Sequence, residues 1–61
     1  MTFEEALKKM KDGYEVGLEG PLDSEIYRII NGEILHLTKN GWIPALFDSK
    51  ELLSTDWYER R

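Results

Sequence analysis

The chain has 61 residues, no cysteine, one histidine and a net charge of −4 from 12 acidic and 8 basic residues. That length holds one domain. The absence of thiols excludes a disulfide staple or a zinc site of the usual Cys/His kind, which leaves association between copies to reinforce so small a core. The scattered bases form no patch for a nucleic-acid backbone, and neither an export leader nor a membrane span is apparent, so the expected compartment is the cytoplasm.

Thr2 and Glu5 match a capping box, in which the threonine oxygen accepts from a free helix-start amide and the glutamate reaches back to the threonine amide. The helix that follows places Phe3, Ala6, Leu7 and Met10 on one stripe, with Glu4, Lys8, Lys9 and Lys11 towards water. Asp12-Gly13 ends it, since glycine takes the left-handed conformation that closes a last turn. "YEVGL" then alternates, which predicts a half-buried strand with Tyr14, Val16 and Leu18 on one face. "EGPLDS" reads as a connecting loop around Gly20-Pro21.

"EIYRII" and "EILHLT" flank Asn31-Gly32, the strongest short-range signal for a hairpin with a two-residue turn. Such a turn sets Ile30 opposite Glu33, Ile29 opposite Ile34, Arg28 opposite Leu35, Tyr27 opposite His36 and Ile26 opposite Leu37. One face then carries Ile26, Leu35 and Leu37 and the other Tyr27, Ile29 and Ile34, so neither is polar. A single short helix covers only one of them, so the other needs either the chain's remaining segments or, as the favoured cover, a second subunit.

Lys39-Asn40-Gly41 is a further turn into "WIPALF", where Pro44 has no amide to give a ladder and marks an edge or a bulge. Asp48 and Glu51 form a second capping-box pattern over "DSKELL", which predicts a short helix, and "TDWYER" reads as the last strand. The expected fold is a single α+β domain over residues 1–61. An N-terminal helix packs on an antiparallel meander of about four or five strands, with a helical turn before the last strand.

Chemistry is thinly signposted. His36 has no second histidine or cysteine to share a metal and no nucleophile in an elbow motif, so it reads as a sheet residue. Ser24, Ser49 and Ser54 fall outside any such motif, and Ser49 suits the first turn of a helix. Glu4-Glu5 sits where a helix dipole favours acids, and Gly13, Gly32 and Gly41 are explained by turns. No catalytic residue, metal site or cofactor is expected. Trp42 and Trp57 could stack on bases, although a core this small needs its large aromatics. Phe3, Trp57 and Tyr58 come from opposite chain ends, so a site using them would join the first helix to the last strand.

The opening "MTFEEALKKMKDGYEV" is similar to a pattern Met-Asn/Thr-Phe-x-x-Ala-Leu-x-x-hydrophobic-Lys-x-Gly-x-x-Val, and the closing "SKELLSTDWYE" to Ser-Gln-x-Asp-hydrophobic-Leu-Ala-x-Asp-Trp. Between them "LTKNGWIPALFDS" resembles Thr-x-x-Gly-x-x-x-Pro-Trp-x-x-Ser. In order and spacing these blocks resemble the Thoeris anti-defence protein 2-like domain, a small phage-associated family formerly of unknown function. The chain departs from it where Val16 is followed by "GLEGPLD" in place of Arg-x-Gly-Trp-Asn, with Glu19 where a cation is usual, and where Ala45 follows Pro44.

The resemblance implies a non-catalytic protein, a homo-oligomer (dimer or tetramer). It would sequester a cyclic nucleotide immune signal, of cyclic ADP-ribose type or a cyclic dinucleotide, in pockets between subunits, in the host cytoplasm if phage-encoded. The residues it points to are Phe3, for base or ribose packing, and Ser49, Asp56 and Trp57, for polar contacts and pocket shape. The alternative from a different class is a small acidic inhibitor that binds a host protein and takes no nucleotide.

Overall fold

A computed structural model describes residues 1–20 and 24–60; half of the expected "EGPLDS" loop, residues 21–23, lies outside the described residues. The elements run α1 (Phe3–Lys11), β1 (Val16–Leu18), β2 (Glu25–Ile30), β3 (Glu33–Thr38), β4 (Gly41–Pro44), α2 (Ser49–Leu53) and β5 (Trp57–Glu59). This is the α+β architecture expected, with five antiparallel strands in the order β4-β3-β2-β1-β5.

Both capping boxes form. The Glu5 amide donates to Thr2 Oγ1 and the Thr2 amide to Glu5 Oε1, and Asp48 and Glu51 repeat the exchange at α2. At the other end of α1 the Gly13 amide donates to the Met10 carbonyl over 3.0 Å and the Tyr14 amide to the Lys9 carbonyl over 3.1 Å. This is a Schellman closure, with Gly13 at φ +96. It also corrects one expectation. Because the Tyr14 amide is spent on the helix end, β1 begins only at Val16, and Tyr14 stays 47% exposed beside Lys9 instead of joining Val16 and Leu18.

The hairpin forms at Asn31 (φ +52) and Gly32 (φ +80), and its register pairs Tyr27 with His36 and Ile30 with Glu33, as the two-residue turn dictates. β4 lies at one edge and ends at Pro44. The Ala45 amide donates to the Ile34 carbonyl, so by alternation the nitrogen of Pro44 faces away from β3, where no ladder needs it.

Alternation sorts the sheet into two faces. Val16, Leu18, Tyr27 and Trp57 share one, and with Ala6 and Met10 of α1 they form the buried core. Phe3, Leu7, Ile29, Ile34, Ala45 and Phe47 pack around it. Both helices lie on this side. The opposite face carries Tyr58, Gly17, Ile26, Leu37 and Trp42 in one cross-strand row, with Arg60, Glu15, Arg28, Leu35 and Pro44 in the next. No described element covers it.

Candidate functional site

The closing block is held by Glu51. Its Oε1 accepts from the Asp48 amide over 2.9 Å, its Oε2 from the Tyr27 hydroxyl over 3.1 Å, and its carbonyl from the indole N–H of Trp57 over 2.9 Å. One residue therefore caps α2 and ties it to β2 and β5. The sequence signals only the capping role, because the other two bonds depend on strands brought beside α2 by the fold.

Above this anchor sits an aromatic cluster. Phe3 meets Trp57 and Phe47 edge-on at centroid separations of 5.3 Å, and Tyr27 lies 5.0 Å from Phe47 and 5.4 Å from Trp57. The His36 ring stacks on the other side of Tyr27 at 4.9 Å, and its Nε2 is paired with Glu25 Oε2. His36 is thus held as a sheet side chain. Burial is the first cause that lifts the Tyr27 hydroxyl above its ordinary value, with the Glu51 carboxylate next.

Of the four residues singled out from the sequence, the fold joins two. Phe3 and Trp57 are in contact, so the first helix meets the last strand as expected. Tyr58 does not join them: alternation along β5 sends it to the opposite face, across Gly17. Trp57 is 2% exposed, with Phe3, Tyr27 and Phe47 around its ring. In the single chain it shapes the site from beneath and offers no open ring face.

Ser49 and Asp56 are different. Both are exposed, Ser49 as the first residue of α2 and Asp56 just before β5. The Asp56 main chain is fixed by its amide donating to Ser54 Oγ over 3.0 Å and its carbonyl accepting from the Glu19 amide. The Met1 ammonium donates to the Thr55 and Trp57 carbonyls over 3.0 and 2.8 Å, which draws the opening block against the closing one. What these two residues offer chemically is an exposed hydroxyl and an exposed carboxylate, each able to hydrogen-bond a ligand.

Among the described residues no cavity opens, no group of acidic or histidine side chains is placed to hold a metal, and no helix is long and apolar enough to cross a membrane. No protein-family model matches the chain, and no solved structure matches it. The chain is similar to PPi-type phosphoenolpyruvate carboxykinase 1 of Entamoeba histolytica, with 35% identity over 57 residues. That alignment takes in 92% of this chain and spans only 5% of the length of the relative.

Proposed function

We propose that this protein is a non-catalytic anti-defence module of phage type that binds and sequesters a cyclic nucleotide signal between subunits of a homo-oligomer in the host cytoplasm. The observation that carries the reading is the meeting of the blocks that resemble the Thoeris anti-defence family. Phe3 of the opening block, Phe47 at the end of the middle one and Trp57 of the closing one form a single cluster. Residues from opposite ends of the chain thus build one base, beside which Ser49 and Asp56 are free to contact a ligand.

A second reading, an inhibitor that binds a host protein, is favoured by Leu46, Leu52 and Leu53, which stand 90, 44 and 82% exposed in and beside α2. A thermal-shift screen against cyclic ADP-ribose isomers and cyclic dinucleotides separates the two. A ligand that binds only the native state adds about 2.7 kcal/mol at a hundredfold excess over its dissociation constant. A large shift, with the ligand recovered intact on heating, is expected of a sponge. Altered ligand would indicate an enzyme, and no shift with any of them would leave the inhibitor.

A further inference from the structure

We infer that the open face of the sheet holds a binding site for a small ligand in which a flat ring carries a terminal phosphate, as in a nucleoside monophosphate. The seat for the ring is Tyr58. Gly17 is buried although no described element covers this face, because the Tyr58 ring lies on it. A Cβ built on Gly17 finds Cζ of that ring nearest, with Oη and Cε1 both farther away. An approach through the ring edge would reverse that order, so the ring lies flat against the glycine backbone. Tyr58 is half-buried, and among the described residues no second ring or cation stacks on it, which leaves the outer ring face to solvent. An aromatic face presented this way takes another planar ring.

The seat for the phosphate is Arg28. Its guanidinium donates no hydrogen bond among the described residues, and its Nε is buried without a partner. Glu15 does not meet that need: its Oε1 accepts from Arg60 Nη1 over 3.0 Å, while its Oε2 stands 3.6 Å from Arg28 Nη1, beyond hydrogen-bond reach. Arg28 lies instead over the Trp42 ring at 5.8 Å, a contact that uses none of its N–H groups. The side chain is 38% exposed and only Nε is sealed, so an anion reaches the Nη end. With Arg60 beside it, one carboxylate stands against two guanidiniums. A terminal phosphate carries more charge than a carboxylate or a cyclic diester and has oxygens for both.

Spacing and charge fix the orientation. The row of Arg28 and Arg60 lies two residues along the strands from that of Tyr58 and Gly17, about 7 Å at roughly 3.3 Å per residue, which suits the reach from base to phosphate in a mononucleotide. On the other side of the ring, Asp56 and Glu19 reach the same face by alternation and are exposed and without ion pairs among the described residues. That side repels phosphate and accepts from an exocyclic amino group of a base. Glu33, also on this face, stands one row beyond Arg28 at the hairpin end. The site is independent of the sequestration reading, since it lies across the sheet from the Phe3–Trp57 cluster and asks for a terminal phosphate, which a cyclic nucleotide lacks.

The test is an NMR titration of the isotope-labelled chain with adenosine monophosphate and, separately, with adenosine, inorganic phosphate and cyclic AMP. Adenosine monophosphate is expected to move the Gly17, Arg28 and Tyr58 amide signals saturably and to shift the Tyr58 ring protons upfield, as a stacked base does. Each of the other three should bind about tenfold more weakly or worse. Arg28→Gln should bring adenosine monophosphate down to the level of adenosine, and Tyr58→Leu to that of inorganic phosphate. Lys50→Gln, which removes a charge from α2 on the other side of the sheet, should change neither. The same spectra report folding, and should Tyr58→Leu fail to fold, Arg28→Gln decides. No movement of those amides at millimolar ligand, inorganic phosphate binding as tightly as adenosine monophosphate, or a loss in Lys50→Gln equal to that in Arg28→Gln would each overturn the proposal. Binding of adenosine monophosphate by a chain that no cyclic nucleotide stabilises leaves this site standing and removes the sponge, whereas stabilisation by a cyclic nucleotide without these shifts does the reverse.

Discussion

The indole N–H of Trp57 donates to the main-chain carbonyl of Glu51 over 2.9 Å, so the last strand is fastened to the helix that precedes it by a side chain that is itself core. Replacing Trp57 by phenylalanine keeps most of the apolar volume and removes the donor. The expected cost is about 1–2 kcal/mol. Trp57→Ala removes the centre of the aromatic cluster at about 3–5 kcal/mol. That equals the roughly 3–5 kcal/mol a domain of this size has in hand. Thermal melts should therefore show Trp57→Phe folded with a lowered midpoint and Trp57→Ala without a cooperative transition; a cooperative melt of Trp57→Ala near the wild-type midpoint would contradict this account of the core.

Gly17 and Tyr58 form a second coupled pair. A Cβ added at Gly17 would run into Cζ, Oη and Cε1 of the Tyr58 ring, which crosses the open face at that point. Gly17→Ala is expected to displace the ring and cost about 1–3 kcal/mol. In a Tyr58→Ser background the same substitution should cost little, because nothing remains to collide with. Denaturant melts of the four proteins in this cycle measure the coupling, and equal costs in both backgrounds would place the glycine's role elsewhere.

Local signals made most of the fold legible. The two capping boxes, the Asp12-Gly13 stop and the Asn31-Gly32 turn each fix a few neighbouring residues, and the hairpin register then follows from the turn geometry alone. The docking of β5 beside β1 was not legible, because it joins residues some forty positions apart through packing that no short motif encodes. For the same reason the sequence did not disclose the triple role of Glu51, or that Gly17 makes room for Tyr58. Tyr14 was misplaced because the alternation of "YEVGL" competes with the Schellman closure, and the closure takes its amide. At the candidate site, the meeting of Phe3 with Trp57 could be anticipated from the paired end blocks, and the burial of Trp57 from the need of so small a core for its large aromatics.

Three side chains give the stability a pH signature at both ends. The Thr2 amide, and then the Thr2 hydroxyl, hold the Glu5 carboxyl below its ordinary 4.5. A depressed carboxyl stabilises the fold above its unfolded value and ceases to do so as pH falls through the folded one. Glu5→Gln should accordingly lie below wild type near neutrality and converge with it as pH falls below about 4.

At the alkaline end the directions reverse. Burial, and then Glu51, raise the Tyr27 hydroxyl above 10.0, and Glu59 raises the Lys9 ammonium above 10.5. Groups raised on folding give stability that is whole below their unfolded values and is lost as pH climbs towards the folded ones. Melts from about pH 9 to about pH 11 should fall steeply for wild type and less steeply for Tyr27→Phe. Parallel slopes would show that the hydroxyl titrates alike in the folded and unfolded chains.

The proposed ligand role of Ser49 and Asp56 separates cleanly from the core. Both side chains are exposed, and neither makes a side-chain hydrogen bond or ion pair among the described residues. Ser49→Ala and Asp56→Ala should thus change the melting free energy by less than about 0.5 kcal/mol, the usual reach of surface substitutions. If these groups hold the nucleotide, each variant loses one hydrogen bond to it. A contact to a charged group such as Asp56 contributes about 1.5–3 kcal/mol, roughly ten- to a hundredfold in affinity. The measurement is the thermal shift produced by whichever cyclic nucleotide stabilises wild type, repeated on both variants. A full shift in Asp56→Ala would remove that carboxylate from the site, and a lowered midpoint without ligand would assign it to the fold instead.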